Sequence, residues 1–195
     1  MRLDKKAALR ATLGFLVALG VWAALAQPYD VLLAKSATFV MRLFESPSVT
    51  MLTNDGPMLV VNRSDFDRRS KAPAISGDDI TFNVIILVAL FALEQRPMRD
   101  RNIRGLLLAL VILFGAHVAA VISEVMSIYV EKLGPWSYNH YGDFARNAWG
   151  VAWASYRTVL MYAIPFGLWW AFRAPEIEAS AAKTTPKKKP AKARR

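Results

Sequence analysis

Apolar positions run almost unbroken in four places, residues 11–26, 80–93, 105–123 and 148–172, with polar and basic segments between them. A bilayer core is about 30 Å thick and a helix rises about 1.5 Å per residue, so roughly 20 residues span it. The last two stretches meet that length outright. The second reaches it with Thr81, Asn83 and the snorkelling ends Glu94 and Arg96. The pattern predicts transmembrane helices over about residues 8–26, 79–95, 104–125 and 148–172.

Two other periodicities fill the gap between the first two stretches. In DVLLAKSATFVMRLFE, residues 30–45, Lys35, Thr38, Arg42 and Glu45 make one polar helical stripe opposite Leu32, Leu33, Phe39, Val40 and Phe44. Such a helix either lies in the membrane interface or packs its stripe against the spans. Val49–Leu52 and Met58–Val61 flank the turn residues Thr53 to Pro57, which predicts a β-hairpin resting on that helix or on the bundle mouth. Residues 62–79 are polar and predict a loop. Together 27–78 form an expected external cap. A second external loop, 126–147, carries Tyr129, Trp136, Tyr138, Tyr141 and Phe144, side chains favoured at a membrane interface.

Charge orients these elements. Arg2, Lys5, Lys6 and Arg10 precede the first stretch; Arg96, Arg99, Arg101 and Arg104 separate the second from the third; Arg173 follows the fourth. The positive-inside rule puts all three flanks in the cytoplasm, giving four spans with both termini inside a bacterial inner membrane. The expected fold is therefore an all-α polytopic membrane protein, residues 1–173, with a small external cap of amphipathic helix plus hairpin. Residues 174–195 have low complexity and many lysines, and predict a disordered basic cytoplasmic tail that attracts anionic lipid rather than nucleic acid. A net charge of +10 beside 54% hydrophobic residues fits this segregation. The N-terminus also carries a signal-peptide pattern, with Ala24-Leu25-Ala26 before Gln27 as a cleavage site, although Trp22 suits the interfacial end of an uncleaved anchor.

Ionisable side chains inside spans are costly, so they pair or line cavities. His117 and Glu124 share a face but stand about 10 Å apart along the axis. Glu124 and Arg157 fall at similar depth on antiparallel neighbours, which predicts an ion pair. Asn83 enters from the second span and His140 from the loop above, so Asn83, Glu124, His140 and Arg157 define a candidate outer-face polar pocket. A structural pair fixing helix register is the plainer account of the same residues. With no cysteine, two histidines and no complete catalytic motif, the chain predicts neither metal nor cofactor, and Ser76 has no evident base.

The order of parts resembles the C-terminal half of the exosortase and archaeosortase membrane proteins. The matching stretches are VTMLTNDGPMLVV for an external hairpin, AISGDD for the entry into a span, RPMRDRNIRG for the cytoplasmic joint and YNHYGDFARNAW for a histidine loop. The resemblance implies transpeptidase-like processing of sorting signals by a cysteine, an arginine and a histidine. Ile75 stands at the cysteine position, followed by Ser76 and Gly77; His140 matches the histidine; the arginine has no match, Ser123 and Glu124 standing there instead. A thiolate nucleophile is not replaceable by isoleucine. The resemblance thus implies a non-catalytic companion, similar to exosortase H-associated membrane proteins, that binds the enzyme or its substrate's C-terminal sorting helix. A solute- or lipid-binding subunit of a transporter or envelope-synthesis complex is the alternative, and an enzyme using Ser76 or Glu124 a third.

Overall fold

The computed structural model describes residues 5–65, 71–94 and 97–184. The chain is mostly helical with one small sheet. Among the described residues two helices are long and apolar enough to cross a membrane, α1 (Lys5–Phe44) and α4 (Asp100–Glu131).

α1 unites what the sequence divided into a first span and a separate amphipathic helix. Its first half leaves large apolar side chains open, among them Leu9 and Val17 at 61% and 65% exposure. Its second half buries Asp30, Leu33, Ala34, Ala37 and Met41, a helical face centred on small residues, and leaves Leu32, Phe39 and Phe44 of the apolar face exposed. The polar stripe has a partner of its own. Leu52 N–H donates to Thr38 Oγ1 at 2.9 Å, Arg42 Nε to the Thr50 carbonyl at 3.0 Å, and Thr50 N–H to Glu45 Oε2 at 3.0 Å. The stripe therefore satisfies the open edge of the sheet, the groups that an edge strand otherwise leaves bare.

That sheet is antiparallel, in the order β1 (Thr50–Asp55), β2 (Met58–Arg63), β3 (Ala74–Ser76). The hairpin is tighter than its turn residues suggested. Thr53, Asn54 and Asp55 lie in the strand, and Asp55 pairs with Met58 across the two-residue turn Gly56-Pro57. Gly56 at φ +60° followed by proline suits a type II′ turn, whose twist matches the strands. β3 falls in the segment expected to be a loop; its three residues carry no period of their own. Its register is set by Leu59 pairing with Ile75, with Val61 N–H bonded to Pro73 O and Gly77 N–H to Pro57 O on either side. Leu52, Leu59, Val61 and Ile75 turn one face onto Leu33, Met41, Val121, Val125 and Tyr129 of α1 and α4, forming the cap core.

The second apolar stretch becomes two pieces, α2 (Gly77–Thr81) and α3 (Asn83–Ala92), joined at Phe82. Ser76 caps α2 by accepting from Asp79 N–H, and Asp78 and Asp79 suit its positive end. After α4 come α5 (Pro135–His140), started by proline in its first turn, and then α6 (Asp143–Ser155), a π-helical turn (Tyr156–Leu160) and α7 (Met161–Thr184) without interruption. α7 continues to Thr184, into the segment expected as a disordered tail; residues 185–195 lie outside the described residues.

Charged ends register the bundle. Arg10 donates to the Leu93 carbonyl, Arg173 Nε lies 2.8 Å from Glu94 Oε1, and Gly105 packs near Phe91 and Phe172. The start of α1, the end of α3, the start of α4 and Arg173 of α7 thus meet at one basic end, with the sheet and α5 at the other. Leu87, Phe91, Ala109 and Leu113 form a second core between them.

Candidate functional site

A cavity of about 620 Å³ opens between α1, β3, α2, α4 and the π-helical turn. Its polar lining comprises Ser76, Asp78, Asp79, Glu124 and Arg157, with Trp22, Trp153, Tyr156 and Tyr162 as aromatic walls. Ile75 lines it too, but is 2% exposed and belongs to the cap core. The fold therefore brings residues 75–79 to Glu124 and Arg157, although sequence separates them by 45 residues or more. Three carboxylates face one guanidinium. A π-helical turn inserts one residue into the helical repeat and re-aims the side chains beyond it, and here it carries both Tyr156 and Arg157 to the cavity.

The four pocket residues expected from sequence do not assemble as one group. Glu124 and Arg157 share the cavity, yet no ion pair joins them among the described residues; Arg157 instead lies over the Trp153 ring at 6.0 Å. A shared cavity replaces the expected direct pair because the aromatic wall takes the guanidinium. Asn83 is fully buried beside the cavity rather than lining it. Its Oδ1 lies 2.7 Å from His117 Nε2, and its Nδ2 donates to the Met161 carbonyl at 2.9 Å. Since Oδ1 only accepts, Nε2 of His117 carries the proton, and Nδ1 is left to accept from the Tyr29 hydroxyl 2.6 Å away. Tyr29, His117 and Asn83 so form a buried polar chain through α1, α4, α3 and α7.

His140 is the clearest departure. It is exposed, its Nδ1 lies 2.7 Å from its own helix's Trp136 carbonyl, and its ring stacks on Trp136 at 4.3 Å. It belongs with the cap, where Arg63 is ion-paired to Glu45 and Asp65 and lies over Tyr129 and Trp136 at 4.9 and 5.1 Å. The Arg63 hydrogen bond holds the Asp65 carboxyl below its ordinary range. Burial pushes the Tyr141 phenol up.

Three features at or near the site were given no role of their own from sequence. Asp78 and Asp79 looked like loop residues, and Tyr156 like one more apolar-span aromatic; its hydroxyl donates to the Ile80 carbonyl at 3.1 Å, at the α2–α3 joint. Asp30 is 1% exposed with no hydrogen-bond partner for either oxygen, and its carboxylate occupies the space beside Gly77 where a Cβ would stand, 2.6 Å away. Gly77 is thus required by close approach. Proteins of known family, curated proteins and solved structures offer no match to this chain.

Proposed function

We propose that the chain is a four-span inner-membrane protein with cytoplasmic termini, and that the cavity between Glu124 and Arg157 binds a membrane-embedded partner on the outer side. Support for the spans comes from apolar side chains left open around the bundle, such as Val111 of α4 at 70% and Phe166 of α7 at 51%, a surface that water disfavours and lipid accepts. Following its likeness to exosortase-associated proteins, the partner is an exosortase-type enzyme or the C-terminal sorting helix of its substrates. The observation that carries this is the meeting of the AISGDD segment with Glu124 and Arg157 at one cavity. The isoleucine at the nucleophile position is packed into the cap core, so the proposed role is binding rather than bond cleavage. A basic or zwitterionic small solute is the second reading, favoured by three carboxylates against one arginine.

The cysteine-free chain makes topology directly testable. Single variants Asp55→Cys and Phe144→Cys are expected to react with a membrane-impermeant thiol reagent added outside spheroplasts, and Asn102→Cys only after lysis. Copurification with an exosortase, and loss of signal sorting in a deletion strain that keeps the enzyme, are the expected functional results. Normal sorting without the protein contradicts the proposal.

A further inference from the structure

An apolar groove of about 340 Å³ lies at the opposite, basic end of the bundle, between α1, α3 and the start of α4. Leu13, Val17, Val88, Phe91 and Leu106 line it, and Arg10 stands at its rim. α1 and α3 approach so closely beside it that a Cβ on Gly14 would overlap the Ala92 side chain. The Nε of Arg10 is buried there with no hydrogen-bond partner, while the same side chain donates from its terminal nitrogen to Leu93 O. Met98 lines both this groove and an adjoining pocket whose other walls are Arg99, Asp100, Arg101 and Arg104. Arg99 and Arg104 make no ion pair among the described residues, and Asp100 is the single carboxylate in that pocket.

We infer that the groove and pocket form one binding site for an anionic phospholipid, with an acyl chain along Leu13, Val17 and Leu106 and the phosphate at Arg10, Arg99 and Arg104. The argument is charge complementarity joined to shape. An apolar slot on the open face of α1 takes a hydrocarbon chain, and basic side chains at its end take a negative headgroup, the arrangement expected at the cytoplasmic leaflet. The inference rests on the membrane orientation proposed above and is independent of what fills the outer cavity.

The test uses the full chain purified in a neutral detergent, with thermal midpoint and native mass spectrometry as readouts. Phosphatidylglycerol is expected to raise the midpoint and remain bound at one lipid per chain, while phosphatidylcholine and inorganic phosphate do neither. Arg10→Gln and Arg104→Gln are each expected to weaken phosphatidylglycerol binding about fivefold. Val17→Trp alters an exposed wall, keeps the helix content by circular dichroism and fills the slot, so it loses the bound lipid. Equal binding of phosphatidylcholine, or unchanged binding in all three variants, overturns the site. Inorganic phosphate reproducing the whole effect overturns its lipid identity. A chain that stays in solution without detergent overturns the orientation instead, a distinguishable result.

Discussion

Asn83 Nδ2 donates to the carbonyl of Met161, 78 positions along the chain, at 2.9 Å. The residue four beyond Met161 is Pro165, which has no N–H to offer that carbonyl. An asparagine in α3 thus supplies the hydrogen bond that a proline in α7 removes, which is how such a proline is tolerated inside an apolar bundle.

Asn83→Leu leaves the His117 N–H and the Met161 carbonyl without their partner, and is expected to cost about 1–3 kcal/mol in denaturant unfolding from detergent. Pro165→Ala restores a backbone donor to Met161. Added to Asn83→Leu, it should recover part of the loss, so the double variant is less destabilised than the summed singles. Additive costs would show that the two residues are not coupled.

Gly77 and Asp30 form a second coupled pair. Gly77→Ala drives a methyl group into the Asp30 carboxylate and is expected to cost about 1–3 kcal/mol. Asp30→Ala removes a buried carboxylate that lacks hydrogen bonds, so it raises the unfolding midpoint and makes Gly77→Ala harmless. A midpoint that falls in Asp30→Ala contradicts this account.

The cap should weaken in acid. Asp65 has a folded pKa below its ordinary 3.8 because Arg63 donates to the carboxylate. Its contribution is therefore complete above that ordinary value and is lost as pH falls through the lower folded value. Amide-exchange protection factors in β1 and β2, taken relative to the intrinsic rate at each pH, should fall below about pH 4, and Asp65→Asn should remove part of that acid dependence. Exchange in the variant that tracks the unmodified protein at every pH would rule the pair out as a cause.

α1 runs unbroken through the Ala24-Leu25-Ala26 pattern. Residues before it hold the bundle: Gly14 abuts Ala92, and Trp22 Nε1 donates to Thr81 Oγ1 at 3.4 Å. Intact mass of the membrane-extracted protein should therefore include residues 1–26. A mature chain beginning at Gln27 would contradict the uncleaved anchor.

Much of the helical layout was legible, because long apolar runs declare buried or lipid-facing helices whatever their neighbours. The stripe Thr38, Arg42 and Glu45 was legible as a stripe, but its partner was not: it bonds to the β1 backbone, and backbone edges carry no sequence signature. Glu124 and Arg157, expected at similar depth on neighbouring spans, line one cavity. Their expected ion pair is absent among the described residues: Arg157 lies over the Trp153 ring, on a π-helical turn that hydrophobic period does not encode. His117 was set against Glu124 on its own helix, while its actual partners, Tyr29 and Asn83, lie on α1 and α3. His140 is expected in the pocket from its place in the loop above the spans, whereas stacking on Trp136 four residues earlier holds it with the cap.

The cavity that Glu124 and Arg157 line is the centre of the account, and site-specific photocrosslinking tests it most directly. Tyr162 lines the cavity and is 52% exposed, so a photoreactive phenylalanine analogue there reports on any occupant with little effect on folding. In native membranes it should give one discrete adduct with an exosortase-type enzyme or a sorting substrate. The adduct should disappear in Glu124→Gln and Arg157→Gln, whose unfolding free energies stay within about 0.5 kcal/mol of the parent because neither side chain is ion-paired among the described residues. An adduct that persists unchanged in both variants, or the absence of any adduct from cells that sort normally, would contradict the cavity as the binding site.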